Sequence, residues 1–162
     1  MAADAGATQA CALRLAAELP TGIQVLSSPL QRCEQLAQSL RAERPDLAYE
    51  TDDRLQEMDF GQWEGRAWQA IAQGELEAWT SDFADYAVGQ NGESVAVFMA
   101  RVAAAFDALP SQGDTVWITH AGVIRAVELL AQGIRLPRHA SQWPLQAPEY
   151  GQWRLVGLHA VR

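Results

Sequence analysis

Thr115-Val116-Trp117-Ile118-Thr119-His120-Ala121-Gly122 decides how this chain is read. Residues 116–118 are apolar at successive positions, so neither face suits water, and a strand buried on both faces belongs in the middle of a parallel sheet covered by helices. Thr119 and His120 end the strand. A helical apolar pattern then starts at Ala121 and stops at Gly133, completing a strand-to-helix corner. A second corner lies upstream in Ile23-Gln24-Val25-Leu26-Ser27-Ser28-Pro29-Leu30-Gln31-Arg32. There a short apolar strand meets Ser28-Pro29, an N-cap followed by proline at the first helical position, and a helix runs on through Leu30, Cys33, Ala37 and Leu40. In an open parallel sheet, ligands bind beyond the carboxyl ends of the strands, where helix N-termini offer free N–H groups and a positive dipole to an anion. The two corners therefore direct Arg32 and His120 to one pocket.

The rest of the chain alternates in the same way. Cys11, Leu15 and Leu19 recur every four residues until Pro20-Thr21-Gly22 breaks the helix, and residues 47–51 read as another strand. Short helical pieces are expected at 68–71 and 75–83, and Gly89-Gln90-Asn91-Gly92 is a break. Val95, Phe98, Met99, Val102, Phe106 and Leu109 share one face of a helix ending near Pro110, and residues 150–161 read as one or two further strands at an edge. The expected fold is α/β: a three-layer α/β/α sandwich on a mostly parallel sheet, formed by residues 1–162 as a single domain. At 162 residues with 49% hydrophobic composition, the chain is long enough to bury a core of that kind.

Composition excludes several functions. A net charge of −8 argues against nucleic acid and acidic membranes as partners, while leaving room for a local basic pocket that takes one small anion. All 12 basic residues are arginine, so P-loop phosphate binding and lysine Schiff bases are excluded. Histidines and cysteines are too scattered for a zinc site, and no His-Glu-x-x-His, glycine-rich dinucleotide fingerprint or Gly-x-Ser-x-Gly occurs. No metal and no cofactor is expected. Cys11 and Cys33 fall on apolar helix positions and read as buried free thiols. No apolar run reaches the length of a membrane span, and no signal peptide is evident, so a cytoplasmic location is expected.

Within the pocket, Arg32 occupies the first turn of its helix, where a cation opposes the dipole and calls for an anion; a planar guanidinium fork suits two phosphate oxygens. His120 is followed by Ala121-Gly122, whose small side chains let a ligand approach the backbone. Between the corners lies Leu55-Gln56-Glu57-Met58-Asp59-Phe60-Gly61-Gln62-Trp63-Glu64-Gly65. Among its acids Glu57 is favoured for acid/base work because Met58, Phe60 and Trp63 can bury the loop around it, whereas Glu64 suits backbone hydrogen bonding. Ser94, in Gly92-Glu93-Ser94, is first an N-cap and second a substrate contact. His139 and His159 have no comparable setting, and the remaining tryptophans read as packing residues.

Taken together and in this order, these motifs resemble the histidine phosphatase, or phosphoglycerate-mutase-like, superfamily, most closely its alpha-ribazole phosphatase branch. The resemblance also takes in Gly6-Ala7-Thr8-Gln9-Ala10 and Tyr150-Gly151 and so covers nearly the whole chain. It implies metal-independent phosphomonoester hydrolysis through a phosphohistidine. Arg32 and His120 would bind the phosphate oxygens, and Glu57 would protonate the leaving alcohol and then activate water, with Ser94 and Ala121 as possible substrate contacts. The partner would be phosphate or a small phosphorylated molecule, either alpha-ribazole 5'-phosphate or the ester of a broader phosphatase; a mutase is less expected for want of a second anion site.

The resemblance also implies a nucleophilic histidine in an Arg-His-Gly motif at the end of a first, central strand, and this sequence opens at the helix that follows it. The expected domain therefore lacks that strand and its nucleophile. Three explanations stand: a shortened piece or misassigned start, a natural non-catalytic relative that binds phosphate esters, or a strand supplied by another chain in a homo-oligomer, which an exposed gap would favour.

Overall fold

Three parallel strands form the sheet, in the order β2-β1-β3. They are β1 (Gln24–Ser27), β2 (Tyr49–Thr51) and β3 (Thr115–Ile118). The structure, a computed structural model, describes residues 4–157. Val25 pairs with Tyr49 on one side and Val116 on the other, and Ser27 with Thr51 and Ile118, so the carboxyl ends of all three strands finish level. That common finish is where both corners turn.

Among the described residues there are five α-helices, α1 (Ala5–Glu18), α2 (Gln31–Glu43), α3 (Gln73–Ser81), α4 (Val95–Asp107) and α5 (Ala121–Ala131), of which α1, α2, α4 and α5 flank the sheet. On one face, Cys11 and Leu15 of α1 and Cys33, Ala37 and Leu40 of α2 pack against Val25 and Ile118. On the other, Phe98, Met99 and Val102 of α4 and Val123, Ala126 and Leu129 of α5 form the larger core, which extends to Leu55, Met58 and Trp63. The three-layer expectation holds, and the alternation of the β strands explains it, since successive residues feed opposite cores.

Local signals place the helices well. Asp4 caps α1 by accepting from the Ala7 N–H at 2.8 Å, Ser94 caps α4 by accepting from the Val97 N–H at 3.3 Å, and Gly133, at φ 80°, lets the chain leave α5. The short helical piece expected at 68–71 is a 3-10 helix, Trp68–Ala70. Three expectations need correction. Leu30, not Ser28, is the N-cap of α2; the Ser28 hydroxyl accepts from the Leu30 N–H at 3.3 Å ahead of the helix and also bonds the His120 ring. β1 is the central strand and β3 lies at the edge of the described sheet, with Thr115, Val116 and Trp117 only half-buried. Residues 152–157, expected as part of a terminal strand, run without joining the sheet; 158–161 lie outside the described residues. The tail is held by side chains instead: Trp153 lies under the Arg14 guanidinium at 4.8 Å, and Arg154 pairs with Glu128 of α5.

Candidate functional site

The end of β3 and the start of α5 put His120 at the N-cap of a helix, on the floor of the site. Its ring is 3% exposed. The Arg32 guanidinium reaches across from the first turn of α2, placing Nε 3.1 Å and Nη2 2.7 Å from His120 Nδ1. A guanidinium only donates, so Nδ1 must be the bare acceptor; Nε2 then carries the proton and donates to Ser28 Oγ at 2.8 Å. Burial, then the charges of Arg32 and Arg101, pull the His120 pKa down from 6.5 to about 4. The imidazole is therefore neutral at pH 7. Cys33 Sγ lies 3.5 Å from Nε2, and burial pushes its thiol up to about 11 against the opposing charge of Arg32, so it stays protonated and inert.

The linkage has a definite sign. Because the His120 pKa is lower folded than unfolded, the unfolded chain takes up more protons between pH 6.5 and pH 4, and stability falls as the solution is acidified through that window. The full effect is about 3 kcal/mol. Urea unfolding at pH 7 and pH 4.5 is expected to show most of that loss in the parent chain and little of it in His120→Gln; equal losses in the two would disprove the assignment.

Glu57 comes to the same helix start from the loop after β2. One carboxylate oxygen accepts from the Gly122 N–H of α5 at 3.2 Å and the other from the Met58 N–H at 3.1 Å. A Cβ on Gly122 would sit 2.2 Å from Glu57 Oε1, so the glycine is what admits the acid to the helix terminus. Met58 and Trp63 are buried beneath the loop as expected, and Glu64 accepts from the Phe60 N–H at 2.9 Å, the bracing role read from the sequence. Thr119 Oγ1 donates to the Leu55 carbonyl at 2.6 Å and ties the loop to the end of β3.

Arg32, His120 and Glu57 thus converge on one turn, with Ala121 between the latter two as the opening residue of α5. Ser94 bonds to its own helix. His139 is exposed at the start of a 3-10 turn, where its N–H bonds Gln142, and His159 lies outside the described residues. Among the described residues no group of three His, Cys, Asp or Glu side chains is disposed to hold a metal ion.

Sequence reasoning missed Arg101. From α4 its Nη1 donates to the carbonyls of Arg54 and Gln56, at 3.0 and 2.8 Å, and its Nη2 to that of Glu57 at 3.0 Å. Its Nε and Nη2 also hold Glu93 at 2.8 and 2.7 Å. Burial would raise the Glu93 pKa, but the hydrogen bonds from Arg101 and the Asp59 N–H outweigh it and hold the carboxyl below its usual range. The signal was present: Arg101 is the lone charge in the apolar run 95–106.

A profile of the histidine phosphatase superfamily (branch 1) matches residues 3–149. TTHB049 from Thermus thermophilus is 30% identical, with a TM-score of 0.59 over 77% of this chain and 67% of that one. A mycobacterial glucosyl-3-phosphoglycerate phosphatase in its native form is 28% identical, with a TM-score of 0.62 over 78% and 64%. The structure of that phosphatase with VO3 gives 28% and 0.64 over 83% and 68%. The chain spans about two thirds of the length of these solved structures. No curated protein matches the sequence.

Proposed function

Since the chain belongs to the histidine phosphatase superfamily, we propose that its cluster of Arg32, His120 and Glu57 is a phosphomonoester site serving hydrolysis without a metal. The observation that carries this reading is the Arg32–His120 pair at the head of α5, with the Glu57 carboxylate on the same helical turn. A tetrahedral anion placed there takes donors from the guanidinium fork, while the displaced Nδ1 of His120 gains a proton and becomes a donor in turn. Glu57, held two residues along the helix from His120, stands where a leaving alcohol needs a proton and where an attacking water later needs a base. For the finer activity we propose a small phosphorylated metabolite as substrate, with alpha-ribazole 5'-phosphate as the first compound to try. A structurally similar protein binds VO3, which suits a site of this kind.

A second reading, ester binding without turnover, has an observation of its own. The chain has three histidines, none before His120, and neither of the other two joins the cluster within the described residues. A phosphohistidine pathway needs a nucleophile besides His120, and removing a nucleophile elsewhere lowered kcat by about 10⁶. We therefore expect this chain by itself to bind phosphate esters and release almost no phosphate from them.

The test has two parts. Inorganic phosphate is expected to raise the melting temperature of the chain, and Arg32→Ala to weaken that binding by about 100-fold, the value of charge-assisted hydrogen bonds worth about 2–3 kcal/mol. An Arg32→Ala variant that binds phosphate as the parent does would overturn the site. Phosphate release from an aryl phosphate is then compared between this chain and a version extended upstream along its genomic reading frame. Release only by the extended version supports the hydrolase. Binding without release in both makes the chain a phosphate-ester-binding protein.

A further inference from the structure

Beside Glu57 an aromatic cleft opens into the larger core. Trp79 and Phe83 stack with ring centres 5.6 Å apart, Phe83 meets Trp143 edge-on at 6.1 Å, and Phe98 lies 6.4 Å from Trp143. Glu57, Gly122 and Arg125 line it too, so the cleft and the phosphate cluster have residues in common. Two of the lining residues carry a buried donor that has no hydrogen-bond partner. Arg125 bonds the Leu145 carbonyl through Nη2 at 3.3 Å, but its buried Nε is unpaired, as is the buried Nε1 of Trp79. Buried polar hydrogens are nearly always matched, and two unmatched ones on a single aromatic cleft ask for an acceptor.

We propose that this cleft receives the alcohol side of the ester and selects phosphomonoesters of ring-bearing alcohols that carry a hydrogen-bond acceptor, the ring lying among Trp79, Phe83 and Trp143 and the acceptor meeting Arg125. The inference rests on the phosphate reading of Arg32 and His120. Distance along α5 supports it: Arg125 follows Gly122 by three residues and so lies on the helix face that carries Glu57. The cleft encloses about 70 Å³. A benzene molecule fills an enclosed cavity of about 150 Å³, so a ring enters here by its edge and leaves the remainder at the open mouth. A bare phosphate or a short polyol phosphate leaves both donors unmatched.

Titration calorimetry on the whole chain with inorganic phosphate, glycerol 1-phosphate, phenyl phosphate and 4-carboxyphenyl phosphate tests this. The quantity read is the affinity of each ester relative to inorganic phosphate. Phenyl phosphate is expected to bind about tenfold tighter than glycerol 1-phosphate, the scale of an aromatic contact, and the carboxylated ester more tightly still. Trp143→Ala should flatten the preference for phenyl, and Arg125→Met the gain from the carboxylate. Arg125→Met keeps the volume of the side chain, so it tests the idea even if Trp143→Ala folds poorly. Phosphate binding with equal affinities for all three esters, or with preferences unchanged in Arg125→Met, overturns the inference alone. Failure of inorganic phosphate to bind overturns the phosphate site and the inference with it.

Discussion

Gly89→Ala is expected to lower the stability of the chain by about 4 kcal/mol, the sum of a left-handed backbone at a residue with a Cβ and a collision that side-chain motion cannot relieve. Gly89 sits at φ 57°, and a Cβ there would lie 2.1 Å from the Phe60 carbonyl oxygen and 2.7 Å from the Gln62 nitrogen. Both obstacles are backbone, so the loop that carries Glu57 has to move. For a chain of this size such a loss lowers the melting temperature by about 8–16 °C. Gly113→Ala is the control: it has a similar positive φ of 87°, with no atom within 4 Å of the added Cβ. Its cost is expected to stay at about 1–2 kcal/mol, that of the backbone alone. Thermal unfolding of the two variants side by side decides the matter, and equal losses would show that the contact with Phe60 is not tight.

Arg101→Met is expected to do comparable damage by a different route. The substitution keeps an apolar stem against Phe98, whose ring lies 4.9 Å from the guanidinium carbon, but removes every donor. The carbonyls of Arg54, Gln56 and Glu57 then lose their partner, and Glu93 is left as a largely buried carboxylate without its cation. Breaking a buried pair from one side costs about 3–5 kcal/mol. Arg101→Lys should recover little, because one ammonium cannot reach three carbonyls and a carboxylate in the planar pattern that the guanidinium satisfies. Urea unfolding measures the stability, and calorimetry with phenyl phosphate measures the loss of the loop from the site. A Lys variant as stable as the parent would reduce the role of Arg101 to that of a single charge.

The corners were the legible part of the sequence. Apolar strands ending in Ser27-Ser28 and Thr119-His120, each followed at once by helical periodicity, placed Arg32 and His120 at one end of the sheet, and the structure puts them in contact. Glu57 was reachable only by weighing the neighbours of several acids, because what selects it is the absence of a side chain at Gly122, far along the chain. Two features were beyond local patterns. Strand order is set by long-range pairing, so an apolar segment such as 116–118 reads as central although β3 lies at the edge of the described sheet. The start of α2 was misplaced because Ser28 is a good cap by type, yet its hydroxyl bonds the Leu30 N–H at 3.3 Å and the His120 ring in a turn that precedes the helix. Arg101 shows the opposite case. Its isolation in an apolar helix was visible, but its function depends on three carbonyls of a loop whose path no periodicity describes.

The two glycine turns at 59–62 and 88–92 interlock through their backbones: the Gln62 N–H donates to the Gly89 carbonyl at 3.0 Å, the Glu93 N–H to the Asp59 carbonyl at 2.8 Å, and the Asp59 N–H to the Glu93 carboxylate at 2.9 Å. Neither turn can swing away while the other stays in place. In the language of hydrogen exchange they form one unit, so the amides of Gln62 and Glu93, distant in sequence, should show a common opening free energy and a common dependence on denaturant. Glu57 is anchored just ahead of the first turn, so each opening of that unit carries the carboxylate away from the head of α5.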